Sequence, residues 1–268
     1  MVIAVRRWNG HVASGAGAFV VLNDDGWIVT AAHTFDLWQT AERDAPLVAE
    51  HLAKVAEVEA DSSLRAEAKN RQLKRLRGEA KADWITHHSF WWAQDGVSIR
   101  DLTLVGDADI AVGRLDPYAP ATGAQYPTIK NPAVGMRQGR SLCRLGFPFH
   151  QIDVKFDRAT SAFAMSQQFT FFPLDGIFTR TVEVASSAAG KYPLKFVETS
   201  SPGLMGQSGG PLFDVGARIW GIQSRTKHVA LGFKTVENQV INLGDAVHCE
   251  TLVAILTDLG VPFDLSAD

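Results

Sequence analysis

Ser208 lies at the centre of a glycine-rich segment, residues 206–211, with the sequence GQSGGP. A serine hydroxyl is a weak nucleophile unless a base accepts its proton, and the anion formed on attack needs nearby donors. Glycines around a serine allow a tight loop in which the backbone N–H groups of Gly206 and Ser208 converge on one point. The segment therefore predicts a nucleophilic serine with an oxyanion hole, although a plain turn between two strands can have the same composition.

His33 follows the apolar run that ends in Thr30-Ala31-Ala32. Histidine titrates near neutral pH, so one side chain can act as general base and then as general acid. A single histidine beside alanines is more often structural than catalytic. Seven other histidines compete for the role, but none closes a comparable strand and turn: His11, His51, His87, His88, His150, His228 and His248.

Asp109 begins the apolar run Asp109–Val112. An aspartate at the start of a strand can lie beside a histidine ring, fix its tautomer and stabilise the imidazolium. Asp107 is the rival, and an aspartate that only caps a turn would have the same surroundings. The apolar run favours Asp109 as the partner of the histidine.

Short strands are predicted to position these side chains. Residues 12–32 indicate a hairpin, in which Ala18–Leu22 and Trp27–Thr30 flank the turn residues Asn23–Gly26. After Trp84 the chain returns to short apolar runs broken by glycine and proline, as expected of an all-β domain. The tail Glu250–Leu259 has apolar residues at helical spacing and predicts a C-terminal helix.

Residues 40–83 differ from the rest of the chain, because they are rich in Ala, Glu, Lys, Arg and Leu. This composition predicts an inserted helical hairpin or bent helix, with a thin apolar stripe of Val48, Leu52 and Val55. Residues 64–81 contain seven basic and two acidic side chains. Such a surface can dock a regulatory protein or an RNA, but a solvated helix face is the commoner meaning of the charge.

The composition restricts the class of protein. A chain of 268 residues suits one large β domain with two subdomains, or two small domains. Its formal net charge of -3 argues against a general affinity for nucleic acid or anionic membranes. We find neither an apolar stretch of about 20 residues nor a secretory signal pattern. The chain has only two cysteines, Cys143 and Cys249. Together with the features above, this low number favours a cytoplasmic location.

The three motifs occur in the order His, Asp, Ser, and together they resemble the chymotrypsin superfamily, most closely the bacterial HtrA-like trypsin-like peptidases. Segments 14–21, 145–148 and 175–180 are also similar to that family. The resemblance implies an all-β fold of two six-stranded β-barrels with a helical insertion and a C-terminal helix. Residues 1–135 would carry His33 and Asp109, and residues 136–268 would carry Ser208. No PDZ domain is expected after the last strand.

The family implies a serine endopeptidase that acts on protein or peptide substrates with the triad His33, Asp109 and Ser208, and that uses no metal or organic cofactor. Gln207 stands where digestive proteases have aspartate, so their activation by a free N-terminal amine is not expected.

The resemblance also places the primary substrate pocket at Pro202, Gly203, Ser224, Arg225 and Thr226. No acidic residue lies near Pro202, so we expect a small or medium apolar P1 side chain rather than lysine or arginine. Arg225 could favour an acidic or polar group, although facing solvent is the commoner role of a surface arginine.

A second hypothesis is a protease-fold binding or sensing module that stays inactive until a partner engages it. The inserted helices motivate this hypothesis, because a helical hairpin near His33 could gate the cleft or recruit a protein. A module kept only for binding has no chemical need for all three triad residues together with Gly206. The sequence therefore favours a regulated protease over an inert module.

Overall fold

Short β-strands make up most of the ordered structure. A computed structural model describes residues 1–149, 152–165, 169–186, 190–230 and 240–267. Its strands in chain order are β1 (Val2–Arg7), β2 (Val12–Ala16), β3 (Val20–Val21), β4 (Trp27–Thr30), β5 (Ile85–Trp91), β6 (Ser98–Val105), β7 (Ile110–Asp116), β8 (Ser141–Arg144), β9 (Val154–Asp157), β10 (Ala162–Met165), β11 (Leu174–Ser186), β12 (Pro193–Thr199), β13 (Pro211–Phe213), β14 (Ile219–Ala230) and β15 (Val240–His248). Its α-helices are α1 (Asp36–Ala60), α2 (Ala66–Glu79) and α3 (Cys249–Asp258). The prediction of a mainly β protein with added helices is confirmed.

The N-terminal half contains two antiparallel sheets, with strand orders β2-β1-β5 and β3-β4-β7-β6. In the second sheet, Val29 of β4 pairs with Val20 on one side and with Val112 on the other. These valines are buried in one hydrophobic cluster, as expected of β-branched residues on the inner face of a sheet. Gly26, with φ of +79°, makes the left-handed turn between β3 and β4.

The C-terminal half is a closed six-stranded barrel with the order β11-β12-β15-β14-β13-β8. Strands β9 and β10 form a separate two-stranded sheet. Helix α3 packs against the barrel through side chains that are fully buried, among them Leu252, Ile255 and Leu256. These side chains share a cluster with Val29 and Val112 of the N-terminal half. The predicted division of the chain between residues 135 and 136 stays a prediction.

The expected pair of closed barrels is not confirmed. Only the C-terminal half closes among the described residues, because the two N-terminal sheets are not joined by strand pairing. The chain between β2 and β3 uses its backbone elsewhere: the Gly17 amide donates to the carbonyl of Met1 (3.0 Å), and the Ala18 amide donates to the carbonyl of Ser208 (2.8 Å). Gly17 therefore extends the pairing of β2 with the start of the chain, whereas Ala18 binds the loop around Ser208.

Helix α1 packs its first half against β5 with one face. The buried residues of this face recur every three or four positions and are Ala41, Asp44, Val48 and His51. The predicted stripe is therefore only partly correct, since Val48 is buried but Leu52 is 51% exposed.

Two polar side chains lie on the buried face of α1, and each contacts residues outside the helix. Oδ2 of Asp44 accepts a hydrogen bond from the backbone amide of Ile85 at 3.0 Å. The His51 ring packs edge-on against Trp8, with ring centroids 5.0 Å apart, and also contacts Trp84 at 5.8 Å. These contacts fix the first half of α1 on the sheet.

No residue between 52 and 79 is buried. This segment, which we call the helical arm, consists of the second half of α1, the connection and α2. Five basic and two acidic residues lie on α2. The arm therefore extends the protein surface without adding to its core. None of the described helices is both long enough and apolar enough to cross a bilayer.

Candidate active site

His33 and Asp109 are held together by the second N-terminal sheet. His33 lies in a short 3₁₀ turn directly after β4, and Asp109 directly precedes β7, the neighbour of β4. The Asp109 backbone has φ of +53°, a left-handed conformation that aspartate adopts more readily than most residues. One carboxylate oxygen, Oδ1, accepts from the backbone amide of His33 at 2.9 Å, and Oδ2 lies 2.8 Å from Nδ1 of the ring. The carboxylate therefore fixes both the backbone and the ring of His33.

Ser224 supplies a further contact to the same carboxylate. Its hydroxyl donates to Oδ2 of Asp109 at 2.5 Å. Burial alone would raise the pKa of Asp109, but the hydrogen bonds from His33 and Ser224 outweigh it and lower the pKa. Asp109 is therefore held as a carboxylate next to the ring.

The hydroxyl of Ser208 lies on the other side of the ring, with Oγ 2.8 Å from Nε2 of His33. Hydrogen bonding to Asp109 raises the pKa of His33 and outweighs the opposing effect of burial. A ring with Nδ1–H donated to Asp109 presents a basic Nε2 to the serine hydroxyl. The arrangement can accept the hydroxyl proton and stabilise the resulting imidazolium.

The loop around Ser208 requires glycine at two positions. Gly206 has φ of +92° and Gly209 has φ of +80°, in the region that other residues rarely adopt. A Cβ atom on Gly209 would also overlap Oγ1 of Thr30 and the carbonyl oxygen of Ala18. The loop and the end of β4 therefore approach each other more closely than any side chain at residue 209 would permit.

Backbone hydrogen bonds fix the carbonyl groups of this loop. The Gly206 carbonyl accepts from the Phe147 amide at 2.9 Å, and the Ser208 carbonyl accepts from the Ala18 amide at 2.8 Å. Within the described part of the chain, the amide N–H groups of Gly206 and Ser208 have no recorded acceptor. Unpaired N–H groups next to a nucleophilic serine are the kind of donors that an oxyanion hole uses.

Residues 15–222 match the family described as a trypsin-like peptidase domain. This chain belongs to that family. The family membership expected from the sequence is thus confirmed.

Solved structures give the following similarities. The active form of the Rv3671c protease from M. tuberculosis has 12% sequence identity and a TM-score of 0.48, and the match covers 99% of this chain and 83% of that one. A variant of the HtrA-type protease AlgW with a tripeptide has 13% identity and a TM-score of 0.45, with 96% of this chain and 58% of that one covered. A comparison with curated protein sequences finds no significant match.

The residues predicted to line the primary pocket of this peptidase domain lie in two places. Oγ1 of Thr226 donates to the carbonyl of Gly203 at 2.6 Å, so segments 201–203 and 224–226 are directly connected. Ser224 donates to Asp109, as described above. Ser224 and Arg225 both line a cavity beside His33. The five residues therefore do not form one pocket wall.

Arg144 lies behind the predicted pocket, and no sequence motif indicated it. Its guanidinium is fully buried and donates through Nη1 to the carbonyls of Ser201 (3.0 Å) and Pro202 (3.1 Å). Nε donates to the side-chain oxygen of Gln223 at 2.5 Å. Burial lowers the pKa of Arg144 to about 10. A positive charge therefore lies directly beneath residues 201–202.

Gln207 also has a structural role that the motif did not indicate. The side chain is fully buried, and its carbonyl oxygen accepts from the backbone amide of Leu204 at 2.9 Å. A neutral amide at this position therefore closes the loop that precedes Ser208.

The competing residues have other surroundings. His51 is enclosed by Trp8 and Trp84, and His248 accepts from the Glu250 amide at the start of α3. Burial lowers the pKa of His248 to about 4. His150 lies outside the described residues, and Asp107 lines the cavity beside His33. In the ranges that the structure describes, no group of three His, Cys, Asp or Glu side chains is placed to bind a metal.

We predict that the His33 ring titrates above its ordinary value of 6.5 and that Asp109→Asn lowers this pKa. The Asp109 carboxylate stabilises the protonated ring, and without its charge the effect of burial favours the neutral ring. NMR titration of the ring proton signals measures both values. Asp107→Asn, which removes a nearby charge that does not bind the ring, is the matched control and should give a much smaller shift. Equal His33 pKa values in wild type and Asp109→Asn would contradict this interpretation.

Proposed function

We propose that this chain is a serine endopeptidase that cleaves protein or peptide substrates through an acyl-enzyme intermediate. The observation that carries the proposal is the continuous contact from Asp109 through His33 to Ser208, with distances of 2.8 Å on each side of the ring. Histidine flanked in this way by a carboxylate and a serine hydroxyl is the arrangement that activates serine for acyl transfer.

In the proposed first step, Oγ of Ser208 attacks the substrate carbonyl while its proton moves to Nε2 of His33. The tetrahedral intermediate carries its negative charge on the former carbonyl oxygen, which the N–H groups of Gly206 and Ser208 bind. The C–N bond then breaks, and the imidazolium gives its proton to the leaving amine. Water, deprotonated by His33, attacks the acyl-enzyme and releases the acid and Ser208. No metal or cofactor enters these steps.

A small P1 side chain fits the proposed pocket best. The hydrogen bond between Thr226 and Gly203 ties the two segments together, and a Cβ atom on Gly203 would overlap Nε2 of Gln223. The two segments therefore pack closely around Gly203. The buried charge of Arg144 behind Pro202 opposes a lysine or arginine at P1, because like charges repel strongly where water is excluded.

Peptide hydrolysis tests both the activity and the P1 preference. We expect tetrapeptide coumarin amides with alanine or valine at P1 to be cleaved at least about tenfold faster, in kcat/KM, than the arginine analogue. Ser208→Ala should lower the rate by about 10⁴-fold or more, whereas Ser63→Ala in the helical arm, an exposed serine, should have no effect. Faster cleavage after arginine would overturn the P1 proposal, and hydrolysis that persists in Ser208→Ala would overturn the endopeptidase.

We also propose that the helical arm recruits a regulatory protein. Helix α1 begins at Asp36, three residues after His33, so a force on the arm acts on the segment that carries the proposed base. The arm itself buries no residue and exposes the basic helix α2. A module that is inactive until a partner binds would also use this link between the arm and the His33 segment. The assembled contacts of His33 favour an enzyme with basal activity.

Removal of the arm tests whether it acts through a partner. His51 and Trp84 are in contact, so residues 52–81 can be replaced by a short Gly-Ser linker without separating the ends. Because the arm buries nothing, we expect hydrolysis of a short peptide to stay within about twofold of wild type.

The matched control replaces only residues 61–65, the connection between the two helices, with the same linker. A change of more than about tenfold in either direction in the arm deletion alone would mean that the arm itself supports or blocks the site.

A further inference from the structure

A cavity of about 410 Å³ lies next to the proposed base. The cavity is lined by His33, Asp109, Ser224, Arg225 and Phe196. A Cβ atom on Gly106, which also lines the cavity, would have no neighbour within 4 Å. The cavity therefore has room for a substrate side chain directly beside the His33 ring.

Arg225 is held in a fixed position on the wall of this cavity. Its guanidinium carbon lies 4.2 Å from the centroid of the Phe196 ring, and Nε donates to Oδ2 of Asp245 at 3.2 Å. The side chain remains 46% exposed. Within the described part of the chain, no hydrogen bond from its two terminal nitrogens is recorded. Those nitrogens present a planar pair of donors that suits a carboxylate.

The charges behind Arg225 do not cancel its own. Asp245 is shared with Lys227, whose ammonium lies 2.8 Å from Oδ2. Glu198 is shared between Arg180 (2.9 Å) and Lys227 (3.9 Å). The buried Arg144 also interacts electrostatically with Asp245. The two carboxylates, Asp245 and Glu198, are therefore surrounded by four cationic side chains: Arg144, Arg180, Arg225 and Lys227. Positive charge is therefore in excess behind Arg225, whereas Asp107 and Asp109 line the cavity itself.

The direction of the substrate chain decides which side chain enters the cavity. In an extended peptide, successive side chains point to opposite faces. When P1 is directed toward segment 201–203 and Thr226, P2 and P4 point to the opposite face, toward the cavity beside His33. P3 points away from the cavity.

We infer that Arg225 is a specificity-determining residue that selects a substrate with an acidic side chain at P2 or P4. This inference rests on the proposed endopeptidase function. Asp107 lines the same cavity and repels a carboxylate, so it limits the preference that Arg225 creates.

Paired peptide substrates test the inference. Tetrapeptide coumarin amides with alanine at P1 are compared with glutamate or glutamine at P2, P3 and P4, one position at a time. We expect glutamate at P2 or P4 to raise kcat/KM about tenfold over glutamine, and to change it less than about twofold at P3.

Variants connect the preference to Arg225. Arg225→Gln should lower the glutamate-to-glutamine ratio to about twofold or less, and Arg225→Lys should retain part of it, because the charge stays but the planar donor pair is lost. Asp107→Asn should increase the ratio. Arg71→Gln, which removes an equal charge from the exposed arm, should keep the wild-type ratio.

Equal cleavage of the glutamate and glutamine peptides at both P2 and P4 would overturn the inference while leaving the endopeptidase intact. A preference that persists unchanged in Arg225→Gln would also overturn it. The absence of any Ser208-dependent hydrolysis would overturn the proposed function itself, and the inference with it.

Discussion

The close approach of Gly209 to the end of β4 is the constraint on which the site depends. His33 and Asp109 come from the N-terminal half and Ser208 comes from the C-terminal barrel, so their contact requires the two halves to meet without an intervening side chain. Gly209 lies against Thr30 and Ala18 where no Cβ atom fits. The Ala18 amide then binds the Ser208 carbonyl, and Thr30 donates its hydroxyl to the Ala18 carbonyl at 2.7 Å. These contacts place the serine hydroxyl within reach of the ring.

Buried charge shapes the surface that surrounds this contact. Asp109, Glu198 and Asp245 each lie at least partly buried and each accept several hydrogen bonds or ion pairs, which is the condition under which burial of a carboxylate is tolerated. Among the residues that the structure describes, Arg144 is buried without a carboxylate in direct contact and is held by neutral oxygens, among them the Ser201 carbonyl. The positive charge beneath the substrate cleft follows from this unequal pairing.

The sequence predicted local features well and long-range ones poorly. The glycines around Ser208 and the strands before His33 and after Asp109 are local signals, so the motifs identified side chains that the structure brings into contact. The predicted closure of the N-terminal half is not confirmed, because strand pairing does not join its two sheets among the described residues.

The buried face of α1 and the surroundings of the predicted pocket residues also depend on contacts that are distant in sequence. Asp44 is buried because of the distant Ile85. Arg144 is placed by residues 57 to 79 positions away, and Ser224 by Asp109, 115 positions away.

The most direct test of the proposed triad is labelling with a fluorophosphonate probe, which reacts only with an activated serine. We expect labelled wild type, no label on Ser208→Ala, and a label strongly reduced in His33→Ala. A folded wild type that stays unlabelled, or equal labelling of Ser208→Ala, would contradict an activated Ser208.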